Sequence, residues 1–190
     1  VSRTAFTHNH NFNISGGSKN TTYSADFTYR KEEGVLLETY NEEMRMRFDV
    51  SHWMLNDMLK VNFNMVKTFH KNGPIDAAGL GIYRQAIMRN PTEPIWNEDG
   101  TFYEFRDSFL AKYYSNPVGI IREQDGKYNS ENTRMTGNIT FEPIKNWQTN
   151  LMLSRRVTSD HNRGYYTSEY FSQKSENHTG YAYHSQNEYT

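Results

Sequence analysis

Short runs of alternating apolar and polar residues recur along the chain, and each is about as long as one β-strand. The clearest run is 22–30, in which Tyr23, Ala25, Phe27 and Tyr29 share one face and polar residues occupy the other. Alternation with a period of two residues is the signature of a strand with one apolar face. Similar runs occupy 11–15, 44–50, 61–65, 135–141 and 149–154, and a weaker one lies at 180–184. The sequence therefore predicts an all-β protein of about seven strands.

The connections between these strands alternate between short and long. The connections at 16–20, 51–58 and 143–146 are short, whereas those at 31–41, about 70–133 and about 158–179 are longer. In an antiparallel up-and-down sheet, this alternation places all short turns at one end and all long loops at the other. That layout is typical of outer-membrane β-barrels. A soluble sandwich gives the same apolar–polar alternation but has no reason to sort its loops by length.

The composition agrees with a sheet that does not enclose a thick core. Only 35% of the 190 residues are hydrophobic, while the aromatics include 14 Tyr and 11 Phe. A net charge of −1 argues against a nucleic-acid partner, and the absence of cysteine excludes disulfides and thiolate metal sites. The longest apolar runs, such as 77–82, are far shorter than the ~20 residues of a membrane helix. The apolar face is therefore predicted to contact lipid, and the polar face to line a lumen.

Three segments in order resemble the SusC/RagA family of TonB-dependent outer-membrane transporters. They are a strand–turn–strand stretch at 9–34 containing Gly-Gly-Ser, a turn and strand at 56–62, and a loop at 90–100 that reads NPTEPIWNEDG. The resemblance runs from about residue 7 to residue 154. It implies a section of a large barrel in the bacterial outer membrane, with the plug domain and the remaining strands outside residues 1–190. It also implies import of glycans or oligopeptides, energy supplied through TonB, a SusD-like lipoprotein partner and no cofactor.

The longest connection, at about 70–133, is the most function-like segment. Apolar residues at helical spacing between 77 and 89, among them Tyr83, Ala86 and Ile87, predict one short amphipathic helix that ends before Pro91. Aromatic residues then cluster, and they could pack the loop, contact the partner lipoprotein or stack on substrate. A second aromatic patch lies in the last long connection. The predicted contact residues are Trp96, Phe102, Tyr103, Phe105, Tyr113, Tyr114, Tyr165 and Tyr166, with Tyr170 and Phe171 beside the second patch.

The polar face of the early strands carries five charged residues, namely Asp26, Arg30, Arg45, Arg47 and Asp49. In a barrel these side chains could pair with one another, line the substrate path or dock the plug domain. Docking of the plug is the favoured interpretation, because charges inside a filled barrel require partners. Trp53 and Trp147 each stand beside a short turn, where an aromatic girdle at the membrane interface is expected.

No arrangement of residues indicates catalysis or metal binding, so an enzyme is not expected. His8 and His10 are two residues apart on one strand, but they lack a third ligand nearby in sequence. Residues 97–100 (NEDG) indicate a tight turn rather than a calcium loop, because the fuller ligand pattern is missing. Two alternatives to the importer stay open at this point. One is a soluble carbohydrate-binding β-sandwich, and the other is a small closed-barrel adhesin.

Overall fold

The computed structural model describes residues 2–73, 81–105, 110, 113–170 and 180–190. Seven strands form one sheet in which each strand pairs antiparallel with its neighbours in sequence. The predicted antiparallel up-and-down architecture is therefore confirmed. The strands are β1 (Thr7–Gly17), β2 (Thr21–Glu33), β3 (Tyr40–Met54), β4 (Leu59–Asn72), β5 (Gln124–Ile144), β6 (Trp147–Tyr166) and β7 (Tyr181–Tyr189).

Short and long connections alternate as the sequence predicts. Three short turns, at 18–20, 55–58 and 145–146, lie at one edge of the sheet, here called the short-turn end. The connections at 34–39, 73–123 and 167–180 lie at the opposite edge, the long-loop end. Left-handed backbone closes two of the short turns, with φ of 55° at Asn56, 70° at Asp57 and 69° at Asn146. Asn and Asp tolerate this conformation better than other residues with a side chain, which fits them to these turns.

The strand register separates two chemically different faces. Phe12, Phe27 and Met46 lie in one row across β1 to β3, and they belong to what we call the apolar face. The next row, on the opposite or polar face, contains Asn13, Asp26 and Arg47 in the same three strands. On β3 the apolar side chains run over seven residues, which is about 20 Å of strand. That length is close to the ~25 Å apolar band of a membrane barrel.

Two strands continue far beyond this apolar band toward the long-loop end. β5 has 21 residues and β6 has 20, and they pair from Phe141–Thr149 up to Gln124–Tyr166. The predicted connections at about 70–133 and 158–179 were therefore too long, because residues 124–132 and 158–166 are strand. The upper part of these strands carries polar residues on both faces. This part shows no apolar–polar alternation in sequence, and it is strand because its backbone pairs with the neighbouring strands.

A small helical unit, here called the cap and comprising residues 81–105 and 113–123, fills the longest connection. It contains α1 (Ile82–Met88) and α2 (Pro117–Arg122), where the sequence predicts only one helix. Within the described residues, the buried hydrophobic side chains are Ile82, Ile120, Ile121 and Tyr170, so the core lies at the cap and not in the sheet. No helix among the described residues is long and apolar enough to cross a membrane.

Candidate functional site

The cap is organised around the side chain of Arg89, which is buried just after α1. Its guanidinium donates hydrogen bonds to the carbonyl oxygens of Tyr103 at 2.9 Å and Tyr114 at 3.1 Å. It also forms an ion pair with Glu104, with 3.5 Å between Nη1 and Oε2. The Tyr103 and Phe105 rings lie 5.6 and 5.3 Å from the guanidinium carbon, within cation–π range. One cation thus joins three separate parts of the connection.

Helix α1 turns a different face inward from the one that the sequence predicts. Tyr83 and Ile87 of the predicted apolar face are exposed, and Ile87 is 81% accessible. The buried positions are Ile82, Gln85 and Arg89, which share another face at i, i+3 and i+7 spacing. The prediction was wrong because the inward face combines Ile82, which packs in the hydrophobic core, with Arg89, whose guanidinium binds remote carbonyl oxygens. The early part of the predicted helix, 77–80, lies outside the described residues.

Asn116 and Glu104 complete the polar centre of the cap. The Asn116 Oδ1 caps α2 by accepting from the backbone N–H of Val118 at 3.1 Å and of Gly119 at 3.4 Å. Its Nδ2 donates to the carbonyl oxygen of Ile95 at 2.8 Å. Both Glu104 carboxylate oxygens accept from the Asn116 backbone N–H, at 2.9 and 3.0 Å. Arg89, Glu104 and Asn116 therefore each meet partners of opposite polarity, whereas Oε1 of the nearby Gln85 is buried without a hydrogen-bond partner among the described residues.

The first aromatic cluster mostly packs the cap. Trp96 and Phe102 stack across a hairpin with 4.2 Å between ring centroids, and Phe102 also lies against Gly119. The turn of this hairpin is residues 97–100, and Gly100 has φ of 83°, so the tight turn predicted there is confirmed. Trp96 and Tyr113 remain substantially exposed. They are the cluster members best placed to contact a partner or a substrate, and that role stays a prediction.

The remaining predicted members of the first cluster serve the Arg89 centre. Tyr103 and Phe105 pack on the guanidinium, and their own rings meet edge to face with centroids 6.1 Å apart. Tyr114 is half-buried and supplies one of the carbonyl oxygens that Arg89 binds. Of the three alternatives open for these aromatics, packing of the loop describes Phe102, Tyr103 and Phe105.

Polar contacts join the cap to the sheet at the long-loop end. Arg122 of α2 forms a 2.8 Å ion pair with Glu38 of the connection between β2 and β3. The backbone N–H of Thr167 donates to the carbonyl oxygen of Glu123 at 3.0 Å. Close by, burial and the carboxylates of Glu42 and Asp125 raise the pKa of Tyr40. The cap is therefore tied to connections on both sides of it.

The second predicted patch is split between the two faces of the sheet. Tyr165 pairs with Ala182 and points to the apolar-face side, whereas Tyr166 pairs with Tyr181 on the polar face. Adjacent residues of a strand point to opposite faces, so these two tyrosines do not form one surface. Tyr166 instead lies against Tyr170, with ring centroids 4.7 Å apart. Phe171 lies outside the described residues.

The five predicted charges occupy the polar face, and each has a partner on its own or the adjacent strand. Arg47 pairs with Asp49, with 2.5 Å from Nε to Oδ2, and Asp49 also accepts from Asn64 at 2.6 Å. Arg45 and Arg30 pair with acids two residues away, Glu43 and Glu32, and Asp26 accepts a hydrogen bond from Asn13. Pairing with one another, one of the three alternatives, is therefore observed for Arg47 and Asp49, whereas Arg30, Arg45 and Asp26 meet other residues, and docking of a plug stays a prediction.

The two tryptophans beside the short turns lie on opposite faces. Trp147 is on the apolar face and exposed, as a girdle residue would be. Trp53 is on the polar face, opposite Lys60, whose ammonium lies 4.8 Å from its ring centroid. The girdle prediction for Trp53 was therefore wrong, because the register of β3 assigns residue 53 to the same face as Asp49.

The histidine pair that could suggest a metal site lies on the first strand. The His8 and His10 rings are 5.3 Å apart and pack against Tyr29. Among the residues that the structure describes, no three His, Asp or Glu side chains form a group that could hold a metal ion. These two side chains thus belong to an aromatic cluster on the apolar-face side of β1 and β2.

Comparison with known proteins agrees with this architecture. A curated protein named as a TonB-dependent receptor, from Formosa agariphila, is 29% identical over 143 residues, which is 74% of this chain and 14% of that protein. The chain resembles a section of a TonB-dependent receptor. The resemblance predicted from the sequence is therefore confirmed. No family model matches the chain.

The fold has a counterpart among solved structures. The chain matches the structure of the RagAB peptide importer in its closed-closed state with a TM-score of 0.66. The match has 16% sequence identity and covers 96% of this chain and 21% of that chain. The fold is thus that of a section of that larger structure, and the chain spans only a small part of each protein that it resembles.

Several residues that organise the site carry no local signal in the sequence. Arg89, Glu104 and Asn116 are separated by up to 27 positions, and each looks like an ordinary surface residue in its own context. Tyr181 and Tyr183 were assigned only to a weak strand. The alternation of tyrosines at 181 and 183 was the available clue, because it puts two rings on one face.

Proposed function

We propose that this chain is a barrel section of a bacterial outer-membrane importer. The observation that carries the proposal is the two-faced sheet. Phe27, Phe48 and other large apolar side chains of its apolar face are exposed, whereas the opposite face is a network of ion pairs and amide hydrogen bonds. Water solvates such a polar network well and such an apolar band poorly, so a lipid environment for the band and a lumen for the network fit this arrangement.

The importer would work with TonB, with a SusD-like lipoprotein at the long-loop end and with glycans or oligopeptides as substrates. The similarity to a TonB-dependent receptor supports the dependence on TonB. The similarity in fold to the RagAB importer supports the partnership with a lipoprotein. The exposed aromatics Trp96 and Tyr113 lie on the cap, at the end where an extracellular partner would approach. We further propose that the protein transports its substrate and does not transform it chemically.

The test uses the full-length protein in the bacterium that encodes it. Cells lacking the gene are compared with complemented cells, with and without a functional TonB, for growth on soluble oligosaccharides or peptides as the sole carbon source. We expect the protein in the outer-membrane fraction and a growth defect on at least one substrate that loss of TonB reproduces. A protein recovered in the soluble fraction without detergent would refute the proposal and restore the sandwich alternative. Normal growth of the deletion strain on every substrate would refute the import role.

A further inference from the structure

Three neighbouring tyrosine rings occupy one area of the polar face near the long-loop end. The ring centroids of Tyr166, Tyr181 and Tyr183 are 6.1 to 6.4 Å apart, and the planes are inclined by only 19° to 33°. Tyr166 and Tyr181 are directly opposite on β6 and β7, and Tyr183 follows two residues later on the same face. The three rings are therefore neighbours with nearly parallel planes, and together they are here called the tyrosine platform.

The backbone below the platform fits these rings closely. Gly164 is directly opposite Tyr183, and a Cβ added at Gly164 would lie 2.4 Å from atoms of the tyrosine ring. The absence of a side chain therefore lets the Tyr183 ring lie across the β6 backbone. At the other side, Tyr166 packs on the buried Tyr170 of the cap core, with centroids 4.7 Å apart. The platform is thus supported from below and anchored at one edge.

The platform is partly accessible to solvent. Tyr181 is 54% accessible, although its neighbour Tyr166 is half-buried and Tyr170 is almost fully buried. An aromatic surface held in place but left accessible is a feature of sites that bind a ligand by stacking.

Polar groups continue from the platform along the same face toward the short-turn end. Ser185 and Asn187 follow on β7, and Asn162 and Asp160 stand opposite them on β6. The seven residues from Tyr181 to Asn187 span about 20 Å of strand. Oδ1 of Asp160 is buried and has no hydrogen-bond partner among the described residues. The track thus passes from flat apolar rings to hydroxyl, amide and carboxylate groups.

The chemistry of this track favours a neutral saccharide over a peptide. The C–H faces of pyranose rings stack on aromatic rings, and sugar hydroxyls bond to amide and carboxylate oxygens. A free peptide brings a carboxylate terminus, and the described residues of this track offer it no cation, because Lys127 and Arg163 point to the opposite face of the sheet. We propose that the tyrosine platform, with Asn162 and Asp160, is a binding site for neutral oligosaccharides. This inference rests on the proposed importer function and assigns a substrate class to it.

The test measures ligand binding to the purified full-length receptor in detergent. The probes are an array of neutral oligosaccharides from plant, algal and microbial polysaccharides, and a tryptic digest of casein. Tyr181→Ala is expected to weaken binding of the preferred oligosaccharide by about tenfold, the loss of one stacking contact with its buried area. Tyr181→Trp should retain binding, because it preserves a flat ring. The matched control is Tyr165→Ala, which removes a 48% accessible tyrosine from the opposite face of the same hairpin.

Three results would overturn the inference: no binding to any oligosaccharide on the array, binding of casein peptides alone, or equal affinities for Tyr181→Ala and Tyr165→Ala. Folding of each variant is checked by its resistance to SDS at room temperature, which an intact barrel retains. Failure of the inference is distinguishable from failure of the proposed function. A receptor that still supports TonB-dependent growth but binds no saccharide through Tyr181 remains an importer with a different substrate site.

Discussion

The buried ion pair of the cap allows a quantitative prediction for Arg89→Ala. The substitution leaves the Glu104 carboxylate without its cation and removes the Arg89 donor from two carbonyl oxygens, of which the one of Tyr103 keeps a 3.2 Å bond from Asn116 Nδ2. Removing one partner of a buried pair costs about 3–5 kcal/mol. We take about 3 kcal/mol, since Glu104 keeps 13% of its side chain accessible and two bonds from the Asn116 N–H. The cap should therefore open about 100-fold more often, because 1.4 kcal/mol corresponds to a factor of ten.

Hydrogen exchange of the full-length receptor measures this opening directly. In α2 the Ile120 N–H is bonded to the Asn116 carbonyl oxygen at 2.9 Å, so its exchange reports opening of the cap. The control is Arg84→Ala, which removes an exposed arginine from the same helix and should change exchange less than about threefold. Peptides from the sheet should exchange alike in both variants. Equal protection of α2 in Arg89→Ala and Arg84→Ala would show that the Arg89 network does not hold the cap together.

Two further predictions test the two faces of the sheet and the contact between Gly164 and the Tyr183 ring. Leu151→Lys on the apolar face should lower the free energy of unfolding in lipid vesicles by about 2–4 kcal/mol. Met152→Lys should lower this free energy much less, because Met152 points to the polar face although its accessibility (67%) is similar to that of Leu151 (53%). Equal losses of unfolding free energy in the two variants would contradict a lipid-facing band. Gly164→Ala should displace the ring of Tyr183 and lower thermal stability by about 1–3 kcal/mol of unfolding free energy. Gly137→Ala, whose Cβ would meet nothing within 4 Å, is the control. Indistinguishable melting curves for Gly164→Ala and Gly137→Ala would refute the argument that Gly164 makes room for the Tyr183 ring.

The strands were predictable from the sequence where the two faces meet different surroundings. Between Tyr23 and Tyr29, and between Met44 and Val50, apolar and polar residues alternate with a strict period of two, as the proposed lipid and lumen surroundings require. Above the band, both faces of β5 and β6 carry polar residues. Residues such as Tyr128 and Asn129 are strand because their backbone pairs with β4 and β6, and that pairing leaves no pattern in the side chains.

The candidate site was predictable only in part. The aromatic composition of the longest connection identified the segment, but it did not distinguish rings that pack the cap from rings that are accessible. That distinction depends on Arg89, whose contacts at residues 103, 104 and 114 are remote in sequence. The face of α1 was wrongly predicted for the same reason, since one buried guanidinium outweighed the apolar pattern of a seven-residue helix.

The cap and the tyrosine platform are joined through one buried residue. Tyr170 belongs to the cap core with Ile82 and Ile120, and its ring also contacts Tyr166 at the edge of the platform. In the proposed barrel, a sheet with one face in lipid and one in water does not bury its own side chains, so the platform depends on the cap for a rigid support. Loosening the cap should therefore weaken ligand binding at rings that Arg89 does not touch. Coupled sites of this kind give non-additive effects when both are changed, because once the cap opens the platform has already lost its anchor.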